Sequence, residues 1–77
     1  MTEDNLIKIF CNSLKIDAKD VNINSKSDDI EEWDSLAHLT FLSAIDKETS
    51  GEASKIENLG EKYSLKEILD TLNKNNL

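Results

Sequence analysis

Leu6, Phe10 and Leu14 stand four residues apart, and apolar residues elsewhere in the chain keep three- and four-residue spacings while almost never alternating. Such spacing puts side chains on one face of a helix, whereas a half-buried strand needs a period of two. Proline is absent, and glycine occurs only as Gly51 and Gly60, so few positions force a break. The pattern predicts an all-α fold, a small four-helix bundle of three longer helices and one short helix, in a single domain over residues 1–77. A chain of 77 residues that is 38% apolar can build one modest core but no deep cavity.

The first helix is expected over about 2–15. Thr2 can cap it, Glu3 and Asp4 suit the positive end of its dipole, and Ile7 and Cys11 flank its apolar stripe. Cys11 reads as a small buried hydrophobe, and a single cysteine allows no internal disulfide. A long loop follows over 16–34, with Ile16, Val21, Ile23, Ile30 and Trp33 placed to pin it to the core. The second helix spans about 35–49, with Gly51 as its stop. Its broad inward face is expected to carry His38, Leu39, Phe41, Leu42 and Ile45, flanked by Ala37 and Ala44, with His38 packed or half-buried towards the flank, and its outward stripe Leu36, Thr40, Ser43 and Lys47. A short third helix over 54–59 offers Ile56 and Leu59. The fourth, 64–74, begins with a capping box of Ser64 and Glu67 and a staple of Tyr63 and Ile68. The predicted core is Leu39, Leu42 and Ile45 with Leu6, Phe10, Leu14, Ile68 and Leu72.

The formal net charge is −7, and all nine basic residues are lysine. That balance argues against nucleic acid, which needs a basic face, and favours partners with basic docking surfaces. No stretch approaches the roughly 20 apolar residues of a membrane span. The opening MTEDNLIK is acidic and polar, so a cytoplasmic protein is expected. No metal site is expected: one His and one Cys cannot build a structural zinc site, and SDDIEEWD lacks the spacing and glycine of a calcium loop. Ser35 and His38 could meet across one helical turn, but no glycine-rich turn offers an oxyanion hole. No enzyme activity and no catalytic residue are therefore expected.

Five acidic residues, Asp28, Asp29, Glu31, Glu32 and Asp34, precede Ser35 in the segment DDIEEWDSLAHL. Asp34 is a good helix N-cap, which makes Ser35 the first helical residue, at an end that favours an anion. A long loop, then Asp34-Ser35-Leu36 opening the second helix, then a short and a final helix, all in a small acidic chain, resembles the acyl carrier protein family over nearly its whole length. The resemblance implies that Ser35 is esterified by 4′-phosphopantetheine from coenzyme A, with Asp34 and Leu36 as its motif neighbours. A phosphopantetheinyl transferase would attach the arm. The arm's thiol would hold an acyl or aminoacyl group as a thioester and present it to a loading ligase and acyltransferase-type enzymes. A monomer is implied, serving lipid or secondary metabolite biosynthesis.

Two departures qualify what the resemblance implies. The family's fatty-acid-synthesis members carry acid on the exposed stripe of the second helix, where this chain has Leu36, Thr40, Ser43 and Lys47. They also carry an aromatic and an Ile-Pro after that helix, where this chain has Thr49 and GEASKIENLG. The expectation is a carrier for a dedicated pathway, docking through Asp28, Asp29, Glu31, Glu32, Thr40, Ser43 and Lys47. The alternative is an unmodified helical interaction module that docks through its acidic patch.

Overall fold

Three α-helices carry the fold in the computed structural model, which describes residues 1–77: α1 (Glu3–Leu14), α2 (Ser35–Glu48) and α3 (Leu65–Lys74). There are no strands, and Lys26 and Ser64 form an isolated antiparallel bridge. No helix is long and apolar enough to cross a membrane.

Each helix starts at a side-chain acceptor that satisfies a free backbone donor. Thr2 accepts from the Asn5 N–H at 3.1 Å, Asp34 from Ala37 at 2.8 Å and Ser64 from Glu67 at 3.4 Å. The capping box at Ser64 is half formed, because no bond returns from the Glu67 carboxylate to the Ser64 N–H. Tyr63, expected as a staple against Ile68, stacks on His38 with ring centres 4.1 Å apart. Past the end of α2, Gly51 adopts φ +84° and its N–H donates to the Asp46 carbonyl at 2.8 Å. That left-handed backbone is the reason a glycine stands there.

The expected short helix over 54–59 is absent as an α-helix. Two single 3₁₀ turns, Ala53–Lys55 and Leu59–Glu61, lie there instead, and they still bury Ala53 and Leu59. The segment is too short to repay helix nucleation, and its backbone bonds close single turns. Thr49 Oγ1 accepts from the Ala53 N–H at 3.0 Å, and Asp46 Oδ1 accepts from the Ser54 N–H at 2.9 Å.

The core draws on all three helices and on the loops. Leu6, Phe10 and Cys11 of α1 meet Phe41 and Ile45 of α2 and Leu65, Ile68 and Leu72 of α3. Phe10, Trp33 and Phe41 form an edge-to-face triad, with centroids 4.7 Å apart for Phe10–Trp33 and 4.9 Å for Phe10–Phe41. Val21, Ile30 and Trp33 are buried, so the long loop is pinned as its apolar residues predict. Two backbone bonds tie it to the start of α3: Ser27 N–H to the Tyr63 carbonyl at 2.9 Å and Leu65 N–H to the Ser25 carbonyl at 3.1 Å.

The phase of α2 differs from the expectation. Its buried residues are His38, Phe41 and Ile45, while Leu39 is 61% exposed and Leu42 only half-buried. Leu14 of α1 is also half-buried rather than central. Counting apolar residues alone centres the α2 face too near Leu39 and leaves His38 at its flank. The imidazole takes the central place because both its nitrogens find partners, which removes most of the cost of burying it.

Candidate functional site

Ser35 is the first residue of α2 and is exposed. Asp34 just before it is extended, at φ −94° and ψ −175°, and turns the chain into the helix. Its carboxylate holds the Ala37 N–H and its carbonyl holds the His38 N–H at 2.9 Å. The N–H groups of Ser35 and Leu36 have no acceptor within the chain. They point the positive end of a 14-residue helix towards whatever lies beside the serine. No acidic residue follows in the first turn to offset that field. The Ser35 hydroxyl thus stands in solvent beside free helix N–H groups that suit a phosphodiester, with the Asp34 carboxylate at the same helix end.

At 100° per residue, Ser35, Leu39, Leu42 and Asp46 fall on one stripe of α2. The lower part of that stripe lines an open cleft of about 290 Å³. Leu39 and Leu42 form one wall, and Ala53, Ile56 and Leu59 form the other. Ser43, Asp46 and Ser54 bring polar groups to it. A flexible group on Ser35 would therefore start at the head of an apolar track. The sequence does not predict the cleft, because the apolar spacing places Leu39 and Leu42 in the core.

The remaining predicted residues separate into two groups. Asp28 and Asp29 lie in a 3₁₀ turn (Ser27–Asp29), and they, Glu31, Glu32 and Asp34 are all exposed. None is ion-paired; the only salt bridge joins Lys55 and Glu52. Leu36 is 74% exposed, and Thr40, Ser43 and Lys47 are exposed along the outer side of α2. The Thr40 hydroxyl is spent on the Leu36 carbonyl at 3.1 Å. The acidic loop and the outer side of α2 thus flank Ser35, one before it and one after it.

His38 does not face Ser35. Trp33 Nε1 donates to its Nδ1 at 3.0 Å, and its Nε2 lies 3.0 Å from the Gly60 carbonyl. An indole N–H can only donate, so Nδ1 accepts and Nε2 carries the proton that Gly60 receives. Sequence reasoning missed this network. The one available signal is a Trp and a His five residues apart around a helix start, the His in register with Phe41 and Ile45. No three Asp, Glu, His or Cys side chains converge as metal ligands. Cys11 is buried, and burial, then the charges of Asp17 and Asp20, push its thiol above the ordinary range. Comparison with protein-family models, with curated proteins and with solved structures returned no match.

Proposed function

We propose that this chain is a carrier protein, in which Ser35 is esterified by 4′-phosphopantetheine and the arm presents an acyl or aminoacyl group to partner enzymes. One observation carries the reading: an exposed serine opens α2 beside unpaired backbone N–H groups, at the head of a stripe that leads into an apolar cleft. When bound, the arm supplies a mobile thiol that forms a thioester. The chain's own thiol, Cys11, is buried and cannot move between enzymes. The residues present fit the arm: the Ser35 and Leu36 N–H groups suit its phosphate, and Leu39 and Leu42 offer apolar contact beyond it. Tethering would raise the cargo's effective concentration at a docked enzyme.

In this reading the chain itself catalyses nothing. The exposed acids Asp28, Asp29, Glu31 and Glu32 attract basic docking surfaces, among them that of a phosphopantetheinyl transferase, and Thr40, Ser43 and Lys47 border the contact. Because the outer side of α2 carries Leu36, Thr40, Ser43 and Lys47 in place of acid, the partners belong to a dedicated pathway rather than to bulk fatty acid synthesis. The protein works as a cytoplasmic monomer. The exposed acids and leucines also favour a second reading, an unmodified helical interaction module. Intact-mass measurement after co-expression with a broad-specificity transferase separates the two: one added arm on the wild type and none on Ser35→Ala supports the carrier.

A further inference from the structure

The Asp34–Ser35 corner is held from both sides by one buried hydrogen bond. Trp33, just before it, is 4% exposed and wedged against Phe10, and His38, one turn after it, is 2% exposed. Their nitrogens meet at 3.0 Å. Glu31, Glu32, Ser35 and Leu36 are exposed and give the corner no tertiary hold of their own. The second ring nitrogen of His38 reaches Gly60, and its ring stacks on Tyr63. The same side chain therefore also ties down the Leu59–Glu61 turn, whose Leu59 and Gly60 line the cleft.

We propose that the Trp33–His38 hydrogen bond sets the backbone corner that presents Ser35, and that Trp33 and His38 are positioning residues for transfer of the arm. The role in transfer rests on the carrier reading. In that transfer the Ser35 oxygen forms a bond to phosphorus, and the pyrophosphate P–O bond of coenzyme A breaks. Adenosine 3′,5′-bisphosphate leaves, and the hydroxyl proton passes to the transferase. A hydroxyl displaced at the corner loses alignment for attack, while the charges of Asp28, Asp29, Glu31 and Glu32 remain exposed to a partner. The defect then falls on kcat and not on KM.

The test compares His38→Asn with His38→Gln. Asparagine keeps an acceptor where Nδ1 stands, whereas glutamine keeps a donor where Nε2 stands and leaves the Trp33 N–H without its acceptor. The first measurement is native-state hydrogen exchange at the amides of residues 37 and 38, both held by Asp34, against those of Ile68 and Leu72 in α3. In His38→Gln and Trp33→Phe, exchange at 37 and 38 rises about tenfold beyond any rise in α3, as loss of one buried bond predicts. In His38→Asn the ratio stays within about threefold of wild type. The second measurement is transfer kinetics with coenzyme A. There kcat falls about tenfold in His38→Gln and Trp33→Phe with KM nearly constant, and His38→Asn keeps most of it. If Trp33→Phe does not fold, the asparagine–glutamine comparison decides alone. Exchange at 37 and 38 that merely follows α3, or glutamine matching asparagine, overturns the proposal. A wild type that takes no arm overturns the carrier reading and the role in transfer, and the exchange ratio then still decides whether the bond holds the corner.

Discussion

Trp33 Nε1 donates to His38 Nδ1 at 3.0 Å inside the core, and this bond joins the end of the acidic loop to the first turn of α2. It fixes the neutral imidazole as the Nε2–H tautomer, because the indole nitrogen has no acceptor role. Nitrogen-15 spectra of the neutral imidazole are expected to show Nδ1 bare and Nε2 carrying the hydrogen, and the Trp33 indole proton should exchange slowly. The reverse tautomer would be incompatible with this geometry.

Phe41 and Leu39 lie two positions apart on α2 but differ in depth, one fully buried and the other 61% exposed. Phe41→Ala should cost about 3–5 kcal/mol, since it removes a fully buried member of the aromatic triad. Leu39→Ala should stay near the surface norm of about ±0.5 kcal/mol. Urea denaturation of both variants checks this, and equal losses would mean that α2 is rotated from the phase described.

Cys11 gives a pH dependence. Burial, then Asp17 and Asp20, hold its folded-state thiol above its unfolded value, so the native state keeps a proton that the unfolded state releases. Stability from this group is therefore complete below the unfolded thiol value and declines as pH rises through the folded one. Stability should fall more steeply on the alkaline side in the wild type than in Cys11→Ala. Parallel alkaline slopes from denaturant titrations of the two proteins would contradict the assignment.

Much of this was legible in the sequence. Thr2, Asp34 and Ser64 marked the three helix starts, because caps act through local geometry that neighbouring residues determine. Trp33, Val21 and Ile30 marked the pinning of the loop. Ser35 and its acidic approach were visible as a motif. What stayed hidden was tertiary. The phase of α2 turns on partners for His38 that lie at Trp33 and Gly60, and the latter is 22 residues away. Residues 54–59 look helical by spacing, but their backbone closes into single turns, Lys55 to Glu52, Ile56 to Ala53 and Leu59 to Ile56, after Asp46 and Thr49 fix Ser54 and Ala53. The cleft exists only because Leu39 and Leu42 sit further out than their hydropathy suggests.

Glu31 and Glu32 are exposed and unpaired beside the corner. Lysine at both positions should slow phosphopantetheinyl transfer, chiefly through association, and the defect should shrink as salt rises. Transfer rates at low and high ionic strength check this. A defect insensitive to salt would place the contact elsewhere.

The carrier reading stands or falls on the mass of the protein itself. After co-expression with a broad-specificity phosphopantetheinyl transferase, the intact chain should gain about 340 Da, the mass of one phosphopantetheine ester. Peptide mapping should put the gain on Ser35, and Ser35→Ala should remain folded and unmodified, since alanine is a good helix former. An unshifted wild type, or a gain that persists in Ser35→Ala on another serine, would contradict the assignment.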